Sequence, residues 1–343
     1  MDLTSRRLLA QGLIDSELRD PVAVTGRLLA IQAQDPRGAR LAVRSRLADS
    51  VEGPVASAVD EALNDRSLVI GWLNRGTLHL VRTEDYRWLA ELTSPRLITS
   101  NRTRLGQEGV SAEQADRAVE LIRAHLADGP ATRTEIKELL ESADIPVAGQ
   151  ALVHILFLAS LQGHILRGPM KGREQAFVLA HDWLGEQRVP EQEAALAELA
   201  RRYLAGHGPA TDRDLSKWAG IALGQARKGL ARIASELTEA DGLVDLADRP
   251  APEGEAPTRL LGSFDPILHG WESREWIIPG EEDRAVVTTN GIFRPTLMVE
   301  GRISGTWTMP KGVVETAPFE SLDPAVAESL DRDAADVARY LAG

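Results

Sequence analysis

Gly129-Pro130-Ala131-Thr132-Arg133-Thr134-Glu135-Ile136 recurs downstream as Gly208-Pro209-Ala210-Thr211-Asp212-Arg213-Asp214-Leu215, with the first four positions identical. Such self-similarity signals a repeated supersecondary unit. Each copy follows an amphipathic run of helical spacing, 115–126 before the first and 193–204 before the second. In each, Thr132 or Thr211 stands where a helix N-cap is expected, and Glu135 or Asp214 occupies the position that closes a capping box. A third helix is expected at about 149–161 in the first copy and 223–237 in the second. Strand-like segments follow, 165–167 with 177–179, and 242–246. Helix, capped helix, helix and hairpin, twice over, predict two tandem winged-helix modules at 111–185 and 190–250.

The flanks extend this reading. Thr4 or Ser5 suits the cap of a helix running through Gln11. Pro21 suits the first turn of a helix reaching Ile31, and Pro36 is expected to end it, because the residue before a proline leaves the α region. An amphipathic helix at 55–63 precedes two strands, 68–73 and 77–81, joined by Asn74-Arg75-Gly76. This order predicts a first winged helix over 1–105. A Pro- and Glu-rich linker at 248–257 leads to strands at 285–289, 296–299 and 302–307, with turn signals at Asn290-Gly291 and Glu300-Gly301. A helix at about 323–341 closes the chain. The expected fold class is mainly α with β (α+β): tandem winged-helix (helix-turn-helix) modules, then a small C-terminal β-barrel or sheet domain over 258–343.

Composition narrows the function. The 343 residues include 43% apolar and 26% charged residues, ordinary for a globular protein. There is no cysteine, which excludes disulfides, thiolate zinc sites and cysteine nucleophiles. Seven histidines show no metal-ligand spacing, so neither a metal nor a cofactor is expected. No signal-peptide pattern or membrane span is legible, and a cytoplasmic protein is expected. The net charge of −12 disfavours a nucleic-acid partner unless the cations are clustered. Clustering is present: Arg37, Arg40, Arg44 and Arg46 occur without an acid in 37–46, as do Arg96, Arg102 and Arg104 in 94–106.

Ile31-Gln32-Ala33-Gln34-Asp35-Pro36 is the most specific chemical feature. On a continuing helix the two glutamines lie about 200° apart and cannot share a site. If Pro36 ends the helix near Ala33, the second carboxamide can swing beside the first. The pair can then hold a water or read a base edge with both donors and acceptors. A polar helix terminus with capping amides remains the other reading.

The runs Leu28-Leu29-Ala30-Ile31-Gln32-Ala33-Gln34-Asp35-Pro36, Val43-Arg44-Ser45-Arg46-Leu47 and Arg75-Gly76-Thr77-Leu78-His79-Leu80-Val81 resemble the winged-helix family of the AlkZ and YcaQ DNA glycosylases. So do Leu260-Leu261-Gly262-Ser263-Phe264-Asp265-Pro266, Asn290-Gly291-Ile292-Phe293-Arg294-Pro295-Thr296 and Val299-Glu300-Gly301-Arg302-Ile303-Ser304-Gly305-Thr306-Trp307. The resemblance implies three tandem winged helices and a β-barrel around double-stranded DNA containing N7-alkylated purines, including bulky or crosslinked adducts. It implies a glutamine–aliphatic–glutamine motif, matched by Gln32 and Gln34 with Ala33 between; Asp35 is one place out of register for the related glutamine–x–aspartate form. On this reading Gln32 and Gln34 are catalytic and Asp35 can assist in proton transfer. Arg37, Arg44, Arg46, Arg75, His79 and Arg102 are the candidate DNA contacts, on a monomer without a membrane partner. A non-catalytic DNA-binding regulator and a protein-interaction scaffold are the alternatives, since fold does not fix function.

Overall fold

The computed structural model describes residues 2–172 and 174–343. In chain order the elements are α1 (Leu3–Ala10), α2 (Pro21–Leu28), β1 (Ile31–Gln32), α3 (Pro36–Arg44), α4 (Ser57–Asn64), β2 (Leu68–Leu73), β3 (Thr77–Arg82), α5 (Thr83–Gln107), α6 (Ala112–Leu126), α7 (Arg133–Ser142), α8 (Ala151–Leu161), β4 (Ile165–Lys171), β5 (Glu174–Leu179), α9 (Ala180–Leu184), α10 (Gln192–His207), α11 (Asp212–Ala219), α12 (Leu223–Arg232), β6 (Leu237–Ala240), β7 (Leu243–Leu246), β8 (Arg259–Leu261), α13 (Asp283–Val286), β9 (Thr296–Val299), β10 (Arg302–Thr308), β11 (Glu315–Pro318) and α14 (Pro324–Ala342). The fold is mixed α and β. Two compact units are formed, one from Met1–Glu61 with Leu196–Gly343, the other from Ala62–Ala195. No helix among the described residues is long and apolar enough to cross a membrane.

The repeat folds as repeated local structure. Thr132 and Thr211 each cap their helix, with Glu135 and Asp214 closing both boxes. The alanine before each cap bridges the following hairpin in the same way: Ala131 pairs with Phe177, and Ala210 with Val244. The third helices differ. Residues of α8 from Ala151 to Leu161 are almost entirely buried in the core with Ile122, Ile136 and Phe177. By contrast, α12 buries only Ala226 and Gly229 and leaves Arg227, Lys228 and Arg232 exposed.

In the 62–195 unit, antiparallel strands run in the order β3-β2-β4-β5. The 25-residue helix α5 was not legible, because Pro95 lies inside it. A proline there removes one intrahelical hydrogen bond and reads as a breaker. Buried Trp88, Leu89, Thr93 and Leu105 hold the helix through it.

In the other unit, the C-terminal strands form an open sheet in the order β11-β10-β9-β8, so of barrel and sheet the structure has the sheet. Ile303 and Trp307 of β10 alternate inward. Trp307 packs with Leu260, Leu297 and the α14 residues Leu330, Val337 and Tyr340. The turn Glu300-Gly301 has both φ angles positive, 47° and 78°, as a tight hairpin demands. The expected strand at 285–289 is instead the short helix α13 followed by a turn at Asn290-Gly291. The β-branched residues there favoured a strand, but burial of Val286 in the helical turn prevails.

Two polar networks are buried in the same unit. Arg46 is fully buried and makes a two-pronged ion pair with Asp265, at 2.7 and 3.0 Å, while also donating to Gln11. His207 stacks on Tyr203, at 4.8 Å between ring centroids, and lies near Trp218 and Trp271. Arg7 sits over Trp271 and Trp276 and donates to the carbonyl of Pro209. Burial lowers Arg7 to about 10 and His207 to about 3.

Candidate active site

The two glutamines lie between helices, Gln32 at the end of the short strand β1 and Gln34 in the bend that leads into α3. Helix α2 stops at Leu28 because Leu29 takes φ 65°, a conformation costly for leucine, and is wholly buried. A strained residue of this kind costs on the order of 1–3 kcal/mol and persists only where its surroundings hold it. Pro36 does not end α2; it starts α3, with Asp35 as N-cap. The reason is that proline is well suited to a first helical turn, where its missing N–H is not needed.

The bend that follows β1 brings the two side chains together. Gln32 is buried and Gln34 exposed. Gln32 Nε2 donates to Gln34 Oε1 at 2.7 Å. The remaining polar ends, Gln32 Oε1 and Gln34 Nε2, hold no hydrogen bond among the described residues. One acceptor and one donor are thus left on a carboxamide pair locked by its own internal bond.

Asp35 is committed to holding this segment. Its Oδ1 accepts from the backbone N–H of Arg37 at 3.0 Å, and its Oδ2 accepts from the Ser263 hydroxyl. The loop carrying Ser263 approaches α3 so closely that a Cβ on Gly38 would lie 2.3 Å from the Ser263 carbonyl oxygen. Gly38, Gly262 and Ser263 therefore belong to the site's framework. Sequence reasoning did not single them out; the run Leu260–Pro266 quoted for the family resemblance was the only signal for Gly262 and Ser263, and Gly38 had none.

The candidate DNA contacts separate by burial. Arg37 is exposed, lies 5.8 Å over the Trp307 ring and donates to Met309 Sδ. It makes no ion pair with the described residues. Arg44 is buried and bonded to Asp333 and Asp336 of α14, while Arg46 is held by Asp265. Neither guanidinium is available to a phosphate; both staple the fold. Their acid-free stretch misled because their partners lie more than 200 residues away in sequence. Arg75 is exposed at the β2–β3 turn. His79 is buried, with Nδ1 2.9 Å from the Thr77 carbonyl oxygen, and so packs instead of reaching outward. Arg102 projects from α5 and pairs with Asp116 of α6 at 2.7 Å. The structure brings together Gln32, Gln34, Asp35 and Arg37; Arg75, His79 and Arg102 belong to the 62–195 unit. Among the described residues no cluster of three His, Asp or Glu is arranged to hold a metal.

Comparison with known proteins bears on this arrangement. The chain is 28% identical over 338 residues to an interstrand DNA cross-link repair glycosylase of Streptomyces sahachiroi, covering 92% of this chain and 89% of that protein. The solved structure of the Streptomyces sahachiroi DNA glycosylase AlkZ matches with a TM-score of 0.82 at 26% identity, over 98% of this chain and 95% of the other. The family model described as DNA glycosylase AlkZ-like matches residues 25–340. With so nearly complete a match, the chain belongs to the AlkZ-like DNA glycosylase family.

Proposed function

We propose that this chain releases N7-alkylated purines from double-stranded DNA, bulky adducts and interstrand crosslinks among them, with Gln32 and Gln34 as the catalytic pair. The modules doing so are three tandem winged helices, 1–105, 111–185 and 190–250, followed by the β-rich domain at 258–343. The reading is carried by the 2.7 Å bond between the two carboxamides, which fixes one acceptor and one donor side by side. A relative named for interstrand cross-link repair supports the substrate class.

N7 alkylation places positive charge on the purine, so the base leaves neutral without prior protonation. What remains is to stabilise a cationic, oxocarbenium-like sugar and to deliver water. Gln32 Oε1 orients the water and places partial negative charge near the sugar. Gln34 Nε2 donates to the lesion nucleotide. The bond between them keeps both amides from rotating, so little reorganisation is needed at reaction. Asp35 positions the segment, and Arg37 offers a cation to a neighbouring phosphate.

The test is base release from a duplex carrying one N7-methylguanine. Gln32→Ala and Gln34→Ala are each expected to slow release about 10-fold or more, roughly 1.4 kcal/mol of barrier. No release by the native protein from this duplex or from a bulkier N7 adduct would overturn the reading.

A further inference from the structure

A concavity of about 680 Å³ in the 62–195 unit is lined by Arg133 and Lys137 of α7 and Arg167 of β4. Arg133 and Lys137 are one turn apart, so they share a helix face. Glu174 is the one carboxylate in this lining, and it accepts from the Thr134 hydroxyl at 3.0 Å. Arg167 lies 4.4 Å over the Phe177 ring and 5.7 Å from that of Trp72. Its Nε is buried without a partner, and its Nη1 reaches the Gln175 carbonyl only at 3.5 Å. No carboxylate among the described residues is in ion-pair distance of Arg133 or Arg167. Of the more deeply buried arginines elsewhere, Arg44, Arg46 and Arg249 each hold a carboxylate, whereas Arg7 is held by a carbonyl and two indole rings. Burial, reinforced by the charge of Arg133, holds Arg167 below the usual arginine range.

A half-buried guanidinium with a dry, unpartnered Nε, facing a second cation and lacking an acid, is stabilised where an anion visits. Arg167 is further pre-organised by its aromatic stack, and a planar fork suits two phosphate oxygens. Lys137 bears only an exposed bridge to Glu141, of little energetic weight, which it can exchange for a phosphate. The cavity opens to solvent, which suits a phosphodiester within a chain.

We propose that Arg133, Lys137 and Arg167 form a phosphate site for the DNA backbone, outside the glutamine segment. The proposal rests on the reading that the chain acts on DNA. The probe is an undamaged duplex of roughly 20 base pairs, titrated by fluorescence anisotropy between about 50 and 200 mM salt. Each lost phosphate contact should reduce the slope of log K against log salt by about 0.9. Arg133→Gln/Lys137→Gln is therefore expected to flatten it by roughly 1 to 2 at unchanged Tm. Arg167→Lys keeps the charge but loses the fork, and should weaken binding with the slope retained. An unaltered slope and affinity in the double variant overturns the proposal. If inorganic phosphate raises the native Tm and not that of the variant, while DNA binding is identical, the site is one for free phosphate and the DNA assignment falls. If native protein releases no base yet the slopes differ as expected, the phosphate site stands and the catalytic reading fails.

Discussion

Asp35 shows how a residue's chemistry is decided by what its oxygens already do. In sequence it is a carboxylate beside a glutamine pair, an obvious candidate for proton transfer. In the structure one oxygen caps α3 and the other accepts from Ser263. In Asp35→Asn the Oδ1 still accepts from the Arg37 N–H, and the Nδ2 can donate to the Ser263 hydroxyl in place of the accepted bond, so the variant should retain base release to within about threefold. Asp35→Ala removes the cap and should cost about 1 kcal/mol of stability, with reduced activity following from it. Parallel base-release and chemical-denaturation measurements decide this. If Asp35→Asn abolished release at unchanged stability, the carboxylate itself would be catalytic. The glutamine pair was legible because its two residue types sit two apart; its geometry was not. A helix ended by Pro36 was expected, whereas a two-residue strand and a bend, followed by a proline-initiated helix, bring the two amides together. The positive φ of Leu29, which makes that possible, has no signature in a leucine.

At the scale of elements, the capped repeat was the most legible part of the chain. Threonine with a carboxylate three residues on specifies the start of α7 and α11 through local bonds alone. Less legible was α5, where the local rule about proline is overridden by burial along the helix. Nor did the repeat disclose that its copies are energetically unequal. Glu135 is half-buried on its helix and also pairs with Lys171. Asp214 is buried at 6% exposure and also accepts from the backbone of Glu272 at 2.7 Å. Asp214→Ala therefore leaves three part-buried donors without their acceptor, those of the Thr211 backbone and hydroxyl and the Glu272 backbone, and is expected to cost about 1–2 kcal/mol. Glu135→Ala should cost clearly less. Urea midpoints of the two variants test the order, and equal losses would show that burial of the capping residue does not matter here.

For the molecule as a whole, the large acidic net charge obscures where charge is invested. Three arginines, Arg7, Arg44 and Arg46, are buried, so composition overstated the cations available to DNA in the first arginine stretch. The same interior carries a pH dependence of stability. His207 is buried among Tyr203, Trp218 and Trp271 with Nε2 unpartnered, and burial lowers it from 6.5 to about 3. Unfolded, it takes up a proton as pH falls through about 6.5; folded, it does not until about 3. Below pH 6.5 the unfolded chain thus binds more protons, and stability falls by up to about 1.4 kcal/mol per pH unit from this group. His154 and His164, also lowered by desolvation, shift in the same direction. Between about pH 6.5 and 5.5, above the ordinary carboxylate range, the histidines dominate the slope. His207→Gln removes the titration, so its stability should depend less steeply on pH across that window, whatever its absolute value. Denaturant unfolding at intervals through the window measures both slopes. Parallel slopes for native protein and variant would mean that His207 already takes up a proton in the folded state, which would require water or an acid to reach Nε2 within the aromatic cluster.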